Sequence, residues 1–372
     1  MTLTIRSIET KKELKRFIKF PFKLFRGNPN YVIPLVDFEE STLNKTKNPA
    51  FDHCDANYWL AEKDGEVVGR IAAILLDTEL KEKQLARFGW IDFIDDQEVS
   101  KLLLDTAQKW AESKGAKAIH GPMGFTDLDF EGALVNGFDQ QATQATIYNY
   151  PYYIDHYKAW GLETSATWVE IRGGVPKEVP RRITRAASMV KNRFGLSVKE
   201  FKKAKDILKY APGVFDVLNE AYAHLYGYQQ LTDKQVKYYI DQYFGFVRKE
   251  FVCIVVNKED EVVGFALSLP SLSKAFNKAK GGLFPFGFIH VLNAFYFNKH
   301  VDMFLIGVRP EYQKMGANAL IFEDLTSTYV KKKVNYVSTG PMMEENRGML
   351  NSFNDYDLDP INIKRSCFHK TF

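Results

Sequence analysis

Residues 304–320 read FLIGVRPEYQKMGANAL: an apolar strand pattern, a short polar turn and then the start of a helical pattern. Backbone N–H groups at such a helix start have no intrahelical acceptor, and the helix dipole adds partial positive charge there. Gly316 lets an anion approach the backbone closely, and Gln313 and Lys314 add donors at the rim. The segment therefore predicts an anion site of a size that suits a pyrophosphate.

The same segment resembles the signature V-x-P-x-Y-[QR]-x-x-G-x-[GA] of the GNAT superfamily of acyl-CoA N-acyltransferases. The matching residues are Val308, Pro310, Tyr312, Gln313 and Gly316, whereas Asn318 stands where the family has Gly or Ala. In that family the segment binds the pyrophosphate and pantetheine of coenzyme A. The resemblance thus implies acyl-CoA or acetyl-CoA as cosubstrate, bound by Val308, Gln313, Lys314, Met315, Gly316, Ala317, Asn318 and Asn346.

Apolar periodicity predicts the same order of elements in both halves of the chain. A hairpin is expected at Tyr58–Leu76 (YWLAEKDGEVVGRIAAILL) and another at Phe251–Leu269 (FVCIVVNKEDEVVGFALSL), each containing EVVG. The repeated order indicates a duplication, and it fits the strand–helix–helix–hairpin–strand–helix–strand–helix–strand layout of the GNAT family. We therefore expect an α/β fold of the α+β type. It would contain two tandem GNAT-like domains, each a mixed, mostly antiparallel sheet flanked by helices.

The length also favours two modules, because 372 residues (42.8 kDa) exceed one ordinary domain. The predicted division is a degenerate GNAT-like domain at 1–175, a basic helical linker at 176–195 and a GNAT-like domain with the acyl-CoA site at 196–372. The linker carries Arg181, Arg182, Arg185, Lys191 and Arg193. It is either a solvated face or a basic wall over an anionic ligand.

The first half departs from the GNAT pattern at the phosphate loop. After Ile94 the sequence is Asp95-Asp96-Gln97-Glu98, which has no glycine and three acids that would repel a pyrophosphate. Tyr157 matches the Tyr of the family segment Y-x-x-x-G-F, but without a coenzyme loop it is expected to be structural. The second half is therefore the half expected to bind acyl-CoA.

The second half, in turn, lacks the usual general acid. The family pattern N-x-x-A…Y-x-x-x-G-F places a Tyr beside the coenzyme thiol, and here that position is Phe353. Tyr356 and Ser352 are nearby substitutes, although Phe353 and Tyr356 are equally compatible with a core role. An attacking amine also needs a base, and Asp302 and His300, beside the strand that leads to the loop, are candidates by position.

A glycine- and proline-rich region of the first half contains further polar candidates. His120, Asp127 and Asp129 could supply a base at a strand end, or they could be a hydrogen-bonded histidine and two turn-capping acids. The wider pattern GPMGF…GFD…YNYPYY is similar to a family of bacterial tandem GNAT-like proteins that neighbours the bacterial ceramide synthases.

Composition excludes several classes of protein. A net charge of +4 is too small to indicate nucleic acid binding. The three cysteines, Cys54, Cys253 and Cys367, are far apart and match neither a disulfide framework nor a zinc site, so no metal is expected. The N-terminal residues have no apolar run typical of a signal peptide, and a cytoplasmic location is expected.

The most apolar window is Leu283–Phe297, LFPFGFIHVLNAFYF. It is shorter than the ~20 residues that span a bilayer. Within the insertion Ser271–Lys299 it is either a helix packed on the core or an apolar cover for a long acyl chain or a lipid-like amine. In the second case, nearby lysines would lie at lipid head groups and the segment would contact a membrane peripherally.

Three functions remain. The first is an N-acyltransferase that transfers an acyl group from acyl-CoA to a primary amine, either a small molecule or a lipid-like amine. The second is a Fem-type transferase, which also pairs two GNAT-like domains but uses aminoacyl-tRNA and needs a larger basic channel. The third is a non-catalytic binding protein, favoured by Phe353 at the acid position and Asn318 in the loop.

Overall fold

The computed structural model describes residues 2–360 and 362–372, which fold into two units. Unit 1 comprises Met1–Val169, Ser273–His290 and Ile363–Phe372, and unit 2 comprises Glu170–Leu272 and Val291–Asn362. Each unit is described by itself.

Up to residue 174 the chain forms most of unit 1 and the first strand of unit 2. The strands are β1 (Leu3–Ser7), β2 (Cys54–Lys63), β3 (Glu66–Leu76), β4 (Leu85–Phe93), β5 (Ala118–Gly121), β6 (Ala133–Asn136), β7 (Glu163–Glu170) and β8 (Arg172–Gly174). The helices are α1 (Lys11–Leu24), α2 (Val36–Leu43), α3 (Asp77–Lys83), α4 (Gln97–Ser113) and α5 (Tyr152–Ala159), with a 3₁₀ turn at Pro49–Asp52.

After residue 174 the order of helices and strands is similar. The strands are β9 (Ser197–Val198), β10 (Val252–Val256), β11 (Val262–Pro270), β12 (His300–Val308), β13 (Tyr336–Thr339), β14 (Met342–Met343), β15 (Asp357–Leu358) and β16 (Ile363–Thr371). The helices are α6 (Arg181–Phe194), α7 (Ala211–Tyr222), α8 (Asp233–Tyr243), α9 (Ser273–Ala279), α10 (Gly287–Phe297), α11 (Pro310–Gln313), α12 (Asn318–Lys332) and α13 (Arg347–Asn351). Three 3₁₀ turns lie at Ala204–Tyr210, Phe244–Phe246 and Lys249–Phe251.

The sheet of unit 1 has the strand order β1-β2-β3-β4-β5-β16-β7, and β6 pairs with β16. The pair β4–β5 is parallel, while β1–β2, β2–β3, β3–β4 and β5–β16 are antiparallel. The β2–β3 turn uses Asp64 and Gly65 at positive φ, as the Asp-Gly pair predicts. One parallel pair among antiparallel neighbours makes this a mixed sheet.

The sheet of unit 2 has the order β15-β8-β13-β12-β11-β10-β9. Here β12–β13 is the parallel pair, and β9–β10, β10–β11, β11–β12, β8–β13 and β8–β15 are antiparallel. Apolar residues of α6 and α12 form one core with the sheet, including Ile183, Ala187, Val190, Leu320, Ile321 and Leu325. Burying these stripes is what holds both helices on the sheet. The predicted fold class is confirmed.

The observed units differ from the predicted linear division in three places. The last strand, β16, completes the unit 1 sheet by pairing with β5 and β6, and residues 273–290 also belong to unit 1. Residues 181–194 form a helix whose apolar face lies in the unit 2 core, so they are part of a unit rather than a linker. The predicted division assigned each strand to the repeat in which it lies in the sequence. A strand can instead pair with strands that are distant in the sequence, as β16 does.

Candidate functional site

The strands β12 and β13 of unit 2 separate part-way along their length. Their parallel pairing runs from His300↔Tyr336 to Met303↔Thr339, where β13 ends, while β12 continues to Val308. On the opposite edge β12 stays paired with β11 through Val308. The register with β11 shifts by one residue at Phe304, which is a β-bulge. The second half of β12 therefore has an open edge toward β13.

Donors from three elements meet the carbonyl groups along this edge. The Tyr222 hydroxyl donates to the Ile306 carbonyl oxygen at 3.1 Å, and Gln313 Nε2 donates to that of Val308 at 2.8 Å. At the point of separation, the Gly340 N–H donates to the Met303 carbonyl oxygen at 2.6 Å. Among the described residues, residues 304–308 of β12 thus have no strand partner on this side, and the carbonyl oxygens of Ile306 and Val308 accept from side chains instead.

The loop after β12 is more helical than the sequence suggests. The N–H groups of Tyr312 and Gln313 donate to the Arg309 carbonyl oxygen, and that of Gly316 donates to Gln313. The N–H groups of Met315 and Ala317 both donate to the Tyr312 carbonyl oxygen. The prediction of several unpaired N–H groups is therefore wrong for these five, because α11 forms a helical turn before α12 begins. Gly316 has φ +82°, the conformation that favours glycine.

The residues predicted to bind the coenzyme divide by exposure. Val308 and Ala317 are buried in the unit 2 core, Met315, Gly316 and Asn318 are half-buried, and Gln313 and Lys314 are exposed. Asn346 is exposed and caps α13 by accepting from the Met349 N–H at 3.2 Å. The structure thus collects residues 308–318 in one loop, in which Glu311, Gln313 and Lys314 have exposed polar side chains, whereas Asn346 has a local capping contact.

Helix α6 lies beside this loop. A Cβ atom on Gly316 would lie 3.4 Å from Val190 Cγ2 of α6. Among the predicted basic residues, Arg182 pairs with Asp355 at 2.6 Å and Lys191 with Glu323 at 2.8 Å. These two cations are therefore partly neutralised within unit 2, and α6 supplies less free positive charge than its sequence suggests.

His300 and Asp302 meet at the paired end of β12. His300 Nε2 lies 3.4 Å from Asp302 Oδ1 and 2.8 Å from the Ser338 hydroxyl. Asp302 is only 2% exposed, and no described donor reaches full hydrogen-bond geometry with its carboxylate. Burial raises the pKa of Asp302 to about 7, opposed by the Ser271 hydroxyl and the Arg172 charge. A carboxyl that titrates near neutrality therefore lies one residue before the strands separate.

Tyr356 is a core residue. It is 5% exposed, its hydroxyl lies 2.9 Å from Thr326 Oγ1, and its ring packs on Phe353. Phe353 in turn packs against Phe322 of α12. Burial raises the pKa of the Tyr356 hydroxyl. The contacts of Tyr356 thus lie in the core beside α12, which agrees with the core interpretation of both aromatic residues.

Sequence reasoning missed a cavity of about 470 Å³ in unit 2. Its wall includes Asp216 and Glu220 of α7, Tyr228 after that helix, and Arg309 after β12. Arg309 donates to the Glu220 carboxylate and, at 2.9 Å, to the Val262 carbonyl oxygen. These residues are far apart in the sequence, so no sequence motif indicates the cavity.

In unit 1 the corresponding edge is covered by the chain itself. The parallel pairing of β4 with β5 ends at Arg87↔His120, and the Met123 N–H then donates to the Phe88 carbonyl oxygen at 2.8 Å. A Cβ on Gly89 would overlap the Met123 carbonyl oxygen. The loss of the coenzyme site in the first half stays a prediction, and this close backbone contact supports it.

Polar side chains of unit 1 hydrogen-bond the segment after β5 that covers β4, at Gly124, Phe125 and Thr126. Arg87 contacts Glu79 through two bonds of 2.7 and 2.8 Å and donates to the Gly124 carbonyl oxygen. His120 Nε2 lies 3.4 Å from the same Glu79, and burial lowers the pKa of His120. Asp129 accepts from two N–H groups of the segment, at 2.8 and 3.1 Å. Burial raises its pKa to about 7.

Asp127 and Tyr157 are two further residues singled out in the sequence of unit 1. Burial raises the pKa of Asp127 to about 7. Tyr157 is buried, and its ring packs edge-on against Phe88 and Phe368. These contacts agree with a structural role for Tyr157.

A solved structure has this tandem arrangement along its whole length. It is the tandem GNAT protein from the clavulanic acid biosynthesis pathway, with a TM-score of 0.57, 13% sequence identity, and coverage of 100% of this chain and 98% of that one. This chain is a tandem GNAT-fold protein. In unit 2 the loop around Gly316 joins strand β12 to helix α12. In unit 1 the chain after β5 covers the corresponding edge of β4.

Two curated relatives share most of this GNAT-fold chain. Protein YghO of Escherichia coli K12 is 27% identical over 368 residues, covering 96% of this chain and 92% of that protein. The bacterial ceramide synthase of Caulobacter vibrioides is 28% identical over 307 residues, covering 78% and 76%. No protein-family model matches the chain.

In residues 2–360 and 362–372, no group of three or more His, Cys, Asp or Glu side chains is arranged to hold a metal ion. Within the same residues, none of the helices combines the length and hydropathy needed to cross a bilayer.

Proposed function

We propose that the chain is an acyl-CoA-dependent N-acyltransferase in which unit 2 transfers the acyl group to a primary amine by direct attack. The observation that carries the proposal is the open edge of β12 with Asp302 at its start. An open strand edge supports a bound amide chain, and a neighbouring carboxyl that titrates near pH 7 suits a base. The GNAT fold supplies the general frame for this chemistry.

Asp302 is the proposed base. The amine nitrogen attacks the thioester carbonyl carbon, a C–N bond forms and the C–S bond breaks, releasing the coenzyme thiolate. The proton lost by the nitrogen passes to the Asp302 carboxylate. Because His300 lies 3.4 Å away and its side chain is 33% exposed, it can carry that proton toward solvent. A base with a pKa near the working pH is the most effective kind.

The loop after β12 is proposed to hold the pyrophosphate. Gln313 and Lys314 supply exposed donors and one positive charge, and Gly316 leaves the backbone accessible. Since five N–H groups of the loop already have backbone acceptors, as do those of Ala319 and Leu320 at the start of α12, the two side chains carry more of the proposed contact than in a loop of free N–H groups.

A lipid-like amine is the acceptor class that we propose. The support is the similarity to a protein named bacterial ceramide synthase, since ceramide is an N-acylated lipid amine. The exposed carboxyl of Asp216 in the cavity wall agrees with an ammonium group, whereas that of Glu220 is already paired with Arg309.

Thermal unfolding with CoA, acetyl-CoA and palmitoyl-CoA tests coenzyme binding. A ligand at 100 times its Kd stabilises the folded state by about 2.7 kcal/mol, which is a measurable shift. Gly316→Glu should remove the shift through charge repulsion and through the strain of a side chain at φ +82°, whereas Gly245→Glu, at a position with no atom near the added Cβ, should retain it. An unchanged shift in Gly316→Glu would remove the loop from the proposal. No shift in the wild type would favour the aminoacyl-tRNA-dependent or non-catalytic alternative.

Turnover separately tests the base. Asp302→Asn should lower kcat/KM by about 10²- to 10⁴-fold while acyl-CoA still binds. The matched control is Asp324→Asn, which removes another largely buried carboxyl of unit 2 on α12. In the wild type, kcat/KM should rise with pH through about 7, as Asp302 loses its proton. Full activity in Asp302→Asn would refute the base assignment even if coenzyme binding is confirmed.

A further inference from the structure

Exposed apolar side chains are concentrated in one segment of the chain. Among the described residues, eleven large apolar side chains are exposed, and seven of them lie between residues 284 and 297: Phe284, Phe286, Phe288, Ile289, Leu292, Tyr296 and Phe297. Single exposed apolar residues need no explanation, but a contiguous group of this size marks an interaction surface. We call residues 283–299 the aromatic segment.

The apolar face of α10 points outward. Ile289, Leu292 and Tyr296 follow a spacing of three and four residues, which places them on one side of the helix, and all three are exposed. Val291 is buried. In an ordinary surface helix the apolar side is the buried one. The arrangement in α10 is the reverse, because its apolar side chains Ile289, Leu292 and Tyr296 are exposed to solvent.

The turn before α10 extends the same surface. Phe284 is 84% exposed and Phe286 is 70% exposed, which makes them two of the most exposed large apolar residues of the protein. Keeping two phenylalanine rings in water is unfavourable relative to burying them. The aromatic segment therefore gains free energy from any apolar phase that it can enter.

The charges near the aromatic segment identify that phase. Residues 271–300 contain no Asp or Glu, although the acid content of the whole chain would place about four acids in a stretch of that length. Lys274, Lys278, Lys280 and Lys299 lie in the same stretch and are exposed. Lysines around an aromatic surface without acids complement the phosphates of anionic lipids.

The dimensions exclude insertion across the bilayer. An 11-residue helix such as α10 is about 16 Å long, about half the thickness of the hydrocarbon core. A short helix with one apolar face lies in the plane of the membrane interface instead. Phe and Tyr side chains enter the boundary between head groups and acyl chains, and flanking lysines contact the phosphates.

We propose that the aromatic segment docks the protein on the surface of an anionic lipid bilayer. The inserted side chains are those of Phe284, Phe286, Ile289, Leu292 and Tyr296, and the four lysines supply the preference for negative charge. This proposal does not rest on the acyltransferase activity, because lipid binding is measured without turnover.

Sedimentation with lipid vesicles tests the proposal. The purified full chain should sediment with vesicles that contain phosphatidylglycerol and at least about tenfold less with vesicles of phosphatidylcholine alone, and added salt should weaken the binding. The double variant Phe284→Ser/Phe286→Ser should bind phosphatidylglycerol vesicles at least about tenfold less tightly. Both side chains are exposed, so the variant should keep the wild-type circular dichroism spectrum and thermal unfolding temperature.

Two further variants separate the apolar and electrostatic parts. Met189→Ser removes an apolar side chain that is 61% exposed elsewhere, and it should leave vesicle binding unchanged. Lys278→Glu/Lys280→Glu should remove most of the preference for phosphatidylglycerol.

Three results would overturn the proposal. The first is a wild type that fails to sediment with anionic vesicles. The second is equal binding by the wild type and Phe284→Ser/Phe286→Ser. The third is a wild-type dimer in size-exclusion chromatography that this variant converts to a monomer, without vesicle binding by either. In the last case the aromatic segment would be an interface between two copies of the chain.

Discussion

The buried carboxyl of Asp129 should make the stability of unit 1 depend on pH. Its Oδ2 accepts from the N–H groups of Phe125 and Thr126, at 2.8 and 3.1 Å, in the segment that covers β4. Burial raises the pKa of Asp129 to about 7, although these two hydrogen bonds oppose the change. The variant Asp129→Asn keeps an oxygen that can accept both bonds and removes the titration.

The sign and size of the effect follow from linkage. Below pH 4 the carboxyl is protonated in both the folded and the unfolded state, and no stability is lost. As the pH rises, the unfolded carboxyl ionises first, since its pKa is about 3.9, while the folded carboxyl stays protonated until about pH 7. Each pH unit in this window lowers the free energy of unfolding by about 1.4 kcal/mol. The total is about 4 kcal/mol, of which about 3 kcal/mol falls between pH 5 and pH 8.

Tryptophan fluorescence measures this effect in unit 1. All five tryptophans, Trp59, Trp90, Trp110, Trp160 and Trp168, belong to unit 1, so urea unfolding followed by their emission reports that unit. The free energy of unfolding is measured at pH 5 and pH 8 for the wild type and for Asp129→Asn. The decrease from pH 5 to pH 8 should be about 3 kcal/mol smaller in the variant than in the wild type.

A control variant makes the comparison specific. Asp139→Asn removes an exposed carboxyl of the same unit, and it should retain the full pH dependence of the wild type. The Asp129 charge also raises the pKa values of Asp127 and Glu131, so the difference between the two proteins reports Asp129 together with its effect on these two neighbours. Equal pH dependence in the wild type and Asp129→Asn would refute the reasoning, because it would mean that the folded carboxyl ionises as readily as the unfolded one.

Two further substitutions test roles assigned to single residues. Tyr356→Phe should leave kcat unchanged and reduce the free energy of unfolding by about 1 kcal/mol, through loss of the bond to Thr326; a large fall in kcat would show that Tyr356 is a catalytic acid after all. Gly89→Ala should destabilise unit 1 by about 3 kcal/mol, because the new Cβ would overlap the Met123 carbonyl oxygen, and tryptophan-monitored unfolding should show it. The comparison variant Gly245→Ala has open space at the added Cβ and should leave the free energy of unfolding measured by tryptophan emission unchanged.

Local signals predicted the helices and hairpins well. Helix α4 runs from Gln97 to Ser113, where Asp96 caps its start and Gly115, at positive φ, follows its end. The β2–β3 hairpin turns at Asp64 and Gly65 for the same kind of local reason. Helix α7 begins at Ala211, and Pro212 fits the first turn of a helix.

Features that depend on tertiary pairing could not be predicted. No residue of β16 indicates that its partners are β5 and β6, because either sheet would bury the same apolar pattern. The structure places residues 308–318 in one loop and His300 beside Asp302, while their role as a site stays a prediction; the cavity wall at Arg309 comes from separate elements without a motif. The hydrogen bonding of the loop depends on α11, a turn too short for periodicity to reveal.

The position of β16 has a consequence for synthesis on the ribosome. In the unit 1 sheet, β16 lies between β5 and β7, yet it contains residues 363–371 of a 372-residue chain. The exit tunnel releases a chain from its N-terminus, and N-terminal domains usually fold first. Here the sheet that starts first gains this inner strand only after residues 363–371 have been translated. Until then β5 and β7 have exposed edges, and a nascent chain stalled before residue 363 would be a natural substrate for chaperones.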